Sequence, residues 1–295
     1  MTKIAITGLN GVIGKILAEE LSKNTQIIDL FHTKKYSGRA IIQKHIKLDL
    51  LKKDKIPEVL REAEPDVVIH LAAITHIDRC EKDKKNGEKG VVWKTNVEAT
   101  SEIAKYCAKQ NIQLVFLSTE CVFDGKQKYF SENSKKNPIN WYGKTKSEAE
   151  DIVLSSSVPA AIIRSVVAYH KNDSEKTIYG KILKELKSRG NIEVVSDQRF
   201  TPTYTYDIVK AIKIVMKKKM KGIFHVSPTK IMSPYELAVL IAKTNKFPRG
   251  SVKKTSISSY YDRKRASLRL RNSSLLGRKT NSMLKFTPRN PEDVL

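Results

Sequence analysis

The stretch KIAITGLNGVIGKILAEEL, residues 3–21, decides the fold. Its first part, Lys3–Thr7, has the apolar run of a buried strand, and Gly14–Leu21 carries apolar side chains at helical spacing. The turn between them contains Gly8, Gly11 and Gly14. Glycines allow a turn to pass close to a pyrophosphate, and a helix N-terminus presents free N–H groups and the positive end of its dipole. The stretch therefore predicts a β–turn–α unit that binds a dinucleotide.

Strands and helices continue to alternate through the first half of the chain. Further strands are predicted at Gln26–Phe31, Asp66–Leu71, Gln113–Ser118 and Ala160–Val166. Helices are predicted at Ile56–Glu62, Asn96–Lys109 and Tyr142–Leu154. Alternation at this spacing is typical of βαβ units, in which a parallel sheet is covered on both faces. We therefore predict an α/β fold with a Rossmann-type, doubly wound parallel sheet.

The pattern is looser beyond Ser165. Helices are predicted at Ile178–Lys187, Tyr206–Lys217 and Ser233–Thr244, and strands at Ile192–Val195 and Gly222–Val226. The basic segment Lys253–Arg271 is predicted to be a surface loop. We predict a dinucleotide-binding domain over residues 1–165. A smaller C-terminal α/β substrate domain is predicted over residues 166–295, with some segments that return to the first domain.

The composition limits the classes of function. Across 295 residues the hydrophobic fraction is 40%, enough for a buried core, and the formal net charge is +24. The excess is mostly Lys spread over the whole chain, without the Arg-rich arm or aromatic-interleaved basic run of a nucleic-acid surface. We therefore predict a solvated basic surface that attracts anions, and no nucleic-acid partner.

Neither a metal nor a membrane is expected. Cys80, Cys107 and Cys121 lie far apart without a C-x-x-C pair, and the histidines have no metal-ligand spacing. No apolar run approaches the ~18 residues that span a bilayer. The first predicted strand follows Met1 almost directly, so we expect no signal peptide. We predict no metal, no disulfide framework, no membrane partner and a cytoplasmic location.

The end of the second strand distinguishes the two nicotinamide cofactors. An acidic residue there would accept hydrogen bonds from the ribose hydroxyls and favour NAD. Asp29 lies about fifteen residues past Gly14, short of the expected spacing of about 20. If the strand ends near His32, its tip contains Thr33 and Lys34, which suit a 2′-phosphate. We expect NADPH, with NADH as the alternative if Asp29 is the tip residue.

Tyr142 and Lys146 form a candidate acid–base pair, one turn apart on one face of a predicted helix. A free tyrosine has a pKa of about 10, and a nearby ammonium lowers that pKa towards the working range. The pair follows a strand that ends in Ser118 and Thr119, where a hydroxyl can donate to a carbonyl oxygen beside Tyr142. Upstream, Asn96 is expected either to hold a water in a proton path or to cap a helix.

These motifs and three longer phrases resemble the extended short-chain dehydrogenases/reductases, and most closely the dTDP-4-dehydrorhamnose reductase family. The phrases are DVVIHLAA at 66–73, STECVFDG at 118–125 and NPINWYGKTK at 137–146. The resemblance implies an NAD(P)H-dependent oxidoreductase that delivers hydride to C4 of a nucleotide-activated 4-keto-6-deoxy sugar in deoxysugar biosynthesis. It also implies that Tyr142 donates the proton, that Lys146 tunes Tyr142 and holds the nicotinamide ribose, and that Thr119 binds the carbonyl oxygen.

Motifs and resemblance together give the remaining candidates. The expected cofactor contacts are Gly8, Asn10, Gly11, Val12, Ile13, Gly14, His32, Thr33, Lys34, Asp49, Leu50, Leu71, Ala72, Ala73, Asn96, Tyr142 and Lys146. The expected substrate contacts are Thr75, Thr119, Glu120, Cys121, Val122, Phe123 and Arg265, the last chosen over Arg269 and Arg271. The expected partner is a dTDP- or UDP-linked keto-deoxyhexose, and the candidate assembly is a homodimer.

The chain departs from the family pattern in its sugar pocket. Glu120 and Cys121 replace an Asp and a Tyr, and Arg265-Ala266 is taken to replace the family's Arg-Pro. Two alternatives therefore stay open. One is a sugar-nucleotide epimerase or dehydratase, because Glu120 adds a carboxylate beside Thr119. The other is a non-catalytic NADP-binding regulatory protein, because the regulatory subunit of methionine adenosyltransferase shares the fold and similar phrases.

Overall fold

The computed structural model describes residues 1–21, 25–171 and 177–295. Within them, seven parallel strands form the main sheet, in the order β3-β2-β1-β4-β5-β6-β10. These strands are β1 (Thr2–Thr7), β2 (Thr25–Phe31), β3 (Lys44–Lys47), β4 (Val67–His70), β5 (Gln113–Thr119), β6 (Ala160–Ser165) and β10 (Gly222–Val226). Two small parallel pairs are β7 (Ala168–Tyr169) with β9 (Thr203–Tyr204), and β8 (Ile192–Val195) with β11 (Val252–Thr255). The predicted doubly wound sheet is confirmed.

The helices cover both faces of this sheet and build the C-terminal part. They are α1 (Val12–Leu21), α2 (Ile56–Ala63), α3 (Ile77–Asp83), α4 (Val91–Trp93), α5 (Ala99–Lys109), α6 (Trp141–Ser155), α7 (Ile178–Arg189), α8 (Thr205–Lys217), α9 (Pro234–Thr244), α10 (Ile257–Tyr260), α11 (Arg263–Ser267), α12 (Arg278–Leu284) and α13 (Pro291–Val294). A π-helical segment, Lys94–Glu98, joins α4 to α5, and 3₁₀ turns lie at Lys53–Lys55, Lys84–Lys89 and Glu120–Val122. No helix of the described residues is both long and apolar enough to span a bilayer.

Alternation along the strands explains the two-faced packing. Successive strand residues point to opposite faces, so Ile4 and Ile6 of β1 enter the core on the α1 and α8 side. Ala5, between them, enters the core on the opposite side, with Leu60 of α2 and Ile103 of α5. Strands buried on both faces show the near-continuous apolar runs that predicted them.

The C-terminal half contributes to both parts of the molecule. Strand β10 pairs with β6 along the main sheet, and α8 packs against α1, so these segments return to the first half. Apolar side chains of α7, α9, β8 and β11 form a third core, which also includes Val122, Phe123 and Phe130 of the first half. Helix α9 begins with the predicted cap: Ser233 accepts from the Glu236 amide, and the Glu236 carboxylate accepts from the Ser233 amide.

The prediction of a surface loop over Lys253–Arg271 is wrong. This segment contains most of β11 and all of α10 and α11. Both helices start at side-chain caps, since Ser256 accepts from the Ser259 amide and Asp262 accepts from the Arg265 amide. Two properties concealed these elements in the sequence. The segment is highly charged, and helices of one turn have too few residues to show an apolar period.

Candidate active site

The glycine turn is packed too tightly for side chains. Gly8 has a φ of +77°, and a Cβ there would lie 2.8 Å from the amide nitrogen of Ala72. A Cβ at Gly14 would lie 2.5 Å from the Gly8 carbonyl oxygen, so α1 could not approach the turn. The turn closes with a hydrogen bond of 2.9 Å from the Gly11 amide to the Gly8 carbonyl. Bare backbone therefore lies at the N-terminus of α1, as a pyrophosphate requires.

A crevice of about 430 Å³ opens beside this turn, between the ends of β1, β2 and β4. Asn10 connects its two sides, because its side-chain amide donates to the carbonyl oxygens of Lys34 (2.8 Å) and Lys35 (3.1 Å). The predicted cofactor contacts that line the crevice are Gly8, Asn10, His32, Thr33, Lys34, Leu50 and Ala72. Gly11 and Val12 line a smaller adjacent cavity instead.

Asp49 lies next to the crevice without lining it. Its Oδ1 accepts from the Leu51 amide at 3.0 Å and lies 3.6 Å from Nε2 of His32. Leu48 and Leu50, on either side of it in the chain, do line the crevice. An adenine bound in this crevice would therefore contact Leu48 and Leu50 rather than Asp49.

Asp29 is not the tip of the second strand. Strand β2 ends at Phe31, and the Asp29 side chain is buried within the fold. Its Oδ2 accepts from the Tyr36 amide at 2.7 Å and contacts Nδ1 of His45 at 2.9 Å. The expected strand end near His32 is confirmed.

Helix α6 places Tyr142 against the end of β5. Asn140 caps the helix by accepting from the Gly143 amide at 2.8 Å. A Cβ on Gly143 would lie 2.0 Å from the Cys121 carbonyl oxygen, so the first turn of α6 packs directly on the 3₁₀ turn after β5. This contact places the Tyr142 side chain beside Thr119.

Burial dominates the acid–base properties of Tyr142. It raises the pKa of the Tyr142 phenol well above its ordinary value, and the nearby Cys121 and Glu120 side chains raise it further. The neighbouring Thr119 acts in the opposite direction and lowers that pKa. The expected lowering of the Tyr142 pKa by Lys146 is therefore wrong for this structure, and the phenol is held protonated at neutral pH.

The Lys146 ammonium is directed towards β5. It donates to the Leu117 carbonyl at 2.8 Å and lies 3.8 Å from the centre of the Phe116 ring. Burial lowers the pKa of Lys146 to about 7, although the Glu150 carboxylate one turn further along α6 opposes that shift. A lysine so poised loses its charge easily near neutral pH.

The expectation that Asn96 caps a helix is wrong. It lies inside the π-helical segment, so it caps no helix. Its Oδ1 accepts from the Ile74 amide at 2.8 Å, and its Nδ2 donates to the Ile74 carbonyl at 3.0 Å and to the Thr145 hydroxyl at 3.1 Å. Asn96 therefore ties the chain after β4 to α6, and its amide protons are used in that contact.

The predicted substrate contacts divide into two groups. Thr119, Glu120 and Cys121 lie together beside Tyr142. The side chains of Val122 and Phe123 are instead fully buried in the third core, where Phe123 stacks on Phe130 at 4.4 Å between ring centres. The assignment of Val122 and Phe123 as substrate contacts stays a prediction.

The two other predicted contacts lie at the surface. Thr75 is exposed beyond β4. Arg265 is half exposed on α11, where its Nε donates to Asp262 at 2.7 Å.

The arginine that reaches the site is Arg269, one turn beyond Arg265. Its Nη2 donates to Asp78 at 2.8 Å, and its guanidinium lies 4.7 Å from the centre of the Tyr261 ring. Its charge acts to lower the pKa of the Cys121 thiol, although burial raises that pKa overall. The Nη1 atom is buried and has no hydrogen-bond partner in the described part of the chain. Arg269 was among the three arginines considered from sequence, but nothing in the local pattern distinguished it.

A family model described as the RmlD substrate binding domain matches residues 1–294. The β subunit of methionine adenosyltransferase 2 from Bos taurus is 29% identical over 255 residues, which are 83% of this chain and 73% of that protein. The spore coat polysaccharide biosynthesis protein SpsK from Bacillus subtilis is 31% identical over 246 residues, 82% of this chain and 78% of that protein. The crystal structure of dTDP-4-dehydrorhamnose reductase from Bacillus anthracis in complex with NADP has a TM-score of 0.83 at 25% identity, covering 99% of this chain and 96% of that one.

Proposed function

Since the chain belongs to the family described as the RmlD substrate binding domain, we propose that it is an NADPH-dependent reductase of a nucleotide-activated 4-keto-6-deoxy sugar. One observation supports this most directly. Thr119 and Tyr142 lie side by side at the end of β5, at the same edge of the sheet as the glycine turn after β1. Ligands of doubly wound sheets bind at that edge. Residues 1–165 would bind the dinucleotide, and residues 166–295 would mainly bind the sugar.

The residues of the crevice fit NADPH. The bare turn at the N-terminus of α1 suits the pyrophosphate, and Leu48 and Leu50 offer apolar surface to the adenine. Thr33 and Lys34 line the crevice beyond the end of β2, where a 2′-phosphate would lie. Asp29 also lines the crevice, but its Oδ2 already accepts from the Tyr36 amide and contacts Nδ1 of His45. NADH remains the alternative cofactor.

Replacing Lys34 with Glu should weaken NADPH binding about tenfold or more and change NADH binding much less. The substitution exchanges an attractive charge for a repulsive one beside the 2′-phosphate, which NADH lacks. Titration followed by nicotinamide fluorescence would measure both affinities. Lys35→Glu is the matched control, since it makes the same charge change on a residue outside the crevice lining. Equal losses for both variants would contradict the assignment of Lys34.

Tyr142 is proposed as the proton donor. When bound, NADPH supplies a hydride to the C4 carbon. The phenol of Tyr142, held protonated by burial, donates its proton to the carbonyl oxygen as negative charge develops there. Thr119 offers a second donor to the same oxygen. Lys146, fixed by the Leu117 carbonyl, is proposed to hold the nicotinamide ribose.

Arg269 is proposed to bind the substrate's diphosphate or another anionic oxygen. Its unpartnered Nη1 is a buried donor near Cys121, and an anion would satisfy it. Cys121 is smaller than the Tyr that the resemblance predicts at this position, which leaves room for a different sugar. The net charge of +24 would favour the approach of any nucleotide sugar.

A second candidate function has a specific observation in its favour. The β subunit of methionine adenosyltransferase 2 covers as much of this chain as SpsK does, at similar identity. If the chain is a regulatory subunit like this relative, it would bind NADP(H) as part of a complex with another enzyme and would reduce no sugar. The altered pocket residues Glu120 and Cys121 are compatible with that alternative.

One experiment separates these two functions. The purified protein is mixed with NADPH, and absorbance at the nicotinamide band is followed after addition of dTDP- or UDP-4-keto-6-deoxyglucose. We expect NADPH to be oxidised with at least one of these sugars. Tight NADPH binding with no oxidation by either would contradict the reductase for these substrates and favour the regulatory function. Failure to bind NADPH or NADH would contradict both.

A further inference from the structure

The hydroxyl of Thr119 has more neighbours than it has protons. It donates to Oε2 of Glu120 at 2.7 Å, and its oxygen accepts from the Cys121 amide at 3.2 Å. The Tyr142 phenol lies nearby, and Thr119 lowers its pKa. A threonine hydroxyl has a single proton, and Glu120 accepts it. While Thr119 donates to Glu120, it has no proton for a substrate carbonyl.

The surroundings of Glu120 make its own protonation easy. The residue is 8% exposed, and burial raises the pKa of its carboxyl, although hydrogen bonds from Thr119 and Cys121 oppose that shift. The titratable side chains that face it are the Cys121 thiol, with Sγ 3.8 Å from Oε1, and the Tyr142 phenol on α6. No Lys, Arg or His within ranges 1–21, 25–171 and 177–295 forms an ion pair with Glu120.

The side chains beyond these direct neighbours, Cys80 and Arg269, contribute little charge that would keep Glu120 ionised. Cys80 of α3 acts on Tyr142, and its own thiol is held neutral because burial raises its pKa to about 12. Arg269 is engaged with Asp78 through one nitrogen, and its charge acts on Cys121. Two protonation states of Glu120 are therefore accessible, and each imposes a different arrangement on Thr119.

We propose that Glu120 is a positioning residue whose protonation state determines whether the Thr119 proton points at Glu120 or at the substrate carbonyl. The ionised carboxylate accepts that proton and withdraws it from the site. The protonated carboxyl donates to the Thr119 oxygen instead, which frees the Thr119 proton to face the carbonyl beside Tyr142. This inference rests on the proposed reductase function and gives a specific role to the glutamate that replaces the family's aspartate.

The first test is the pH dependence of reduction. In the wild-type protein, kcat should fall about tenfold or more as the pH rises through the ionisation of Glu120, since one donor to a developing oxyanion is worth about 10²–10³-fold. In Glu120→Gln the side-chain amide cannot ionise and can donate to Thr119, so this fall should be absent. Glu58→Gln, an exposed glutamate on α2, should keep the wild-type profile. A wild-type profile in Glu120→Gln, or its inactivity at every pH, would overturn the proposal.

The second test needs no turnover. With tyrosines labelled at ¹³Cζ, the Tyr142 signal is identified by its loss in Tyr142→Phe. Its chemical shift should follow the ionisation of Glu120, and this response should disappear in Glu120→Gln and in Thr119→Val. A response that persists in both variants would overturn the proposal. A further outcome is that the response disappears as expected while the protein reduces no sugar. That result would support the control of Thr119 by Glu120 and contradict only the reductase function.

Discussion

Replacing Tyr142 with Phe should lower the rate of NADPH oxidation by about 10²–10⁴-fold, the usual contribution of a positioned general acid. The substitution removes the hydroxyl beside Thr119 and leaves the ring at the start of α6. NADPH affinity should change much less than the rate, because the crevice beside the glycine turn does not include Tyr142. Steady-state rates with a 4-keto-6-deoxy sugar nucleotide and fluorescence titration with NADPH would measure the two effects separately.

Tyr106→Phe is a suitable control for that substitution. Tyr106 lies on α5, and its partly buried hydroxyl also has a raised pKa because of burial, but it contacts none of the groups around Thr119. Its removal should leave the rate unchanged. A Tyr142→Phe protein that reduces the sugar at more than a tenth of the wild-type rate would show that another group supplies the proton. Glu120 would then be the first alternative, since its buried carboxyl is bonded to Thr119.

The features that sequence predicted correctly depend on neighbours along the chain. The apolar run of β1, the glycine turn and the start of α1 lie within residues 2–21, so the local pattern contains all the information needed. The same holds for Tyr142 and Lys146, which are one helical turn apart on α6. The carboxyl ends of parallel strands then meet at one edge, which brings Thr119 to the site without any further assumption.

The features that sequence missed depend on partners distant in the chain. Asn96 is fixed by Ile74, 22 residues away, and no local signal reveals that pairing. Arg269 bonds Asp78 across 191 residues, whereas Arg265 bonds Asp262 within its own helix. The pKa of Tyr142 was misjudged for the same reason, because burial is a property of the whole fold and outweighs a neighbouring lysine.

Arg164→Met should destabilise the protein by about 3–5 kcal/mol, because it leaves a buried carboxylate without its main partner. The Arg164 guanidinium of β6 donates to Glu150 of α6 through Nε at 2.8 Å and Nη2 at 2.6 Å, and both side chains are at most 2% exposed. Urea denaturation followed by circular dichroism would give the change in the free energy of unfolding. Arg199→Met is the matched control. It breaks a half-exposed pair with Glu236, so the expected loss is at most about 1 kcal/mol.

The double variant Arg164→Met/Glu150→Met should be more stable than Arg164→Met alone, because it removes both charges together. Burial raises the pKa of Glu150, but hydrogen bonds from Arg164 and Ser118 and the charge of Lys136 lower it overall. A lowered pKa means that Glu150 stabilises the wild-type protein above the ordinary glutamate pKa of about 4.3, and that this contribution is lost as the pH falls below it. When the pH is lowered from neutral to acid, the free energy of unfolding should therefore fall less in the double variant than in the wild-type protein. Equal stability of the single and double variants would show that Lys136, 3.4 Å from Glu150, is a sufficient partner by itself.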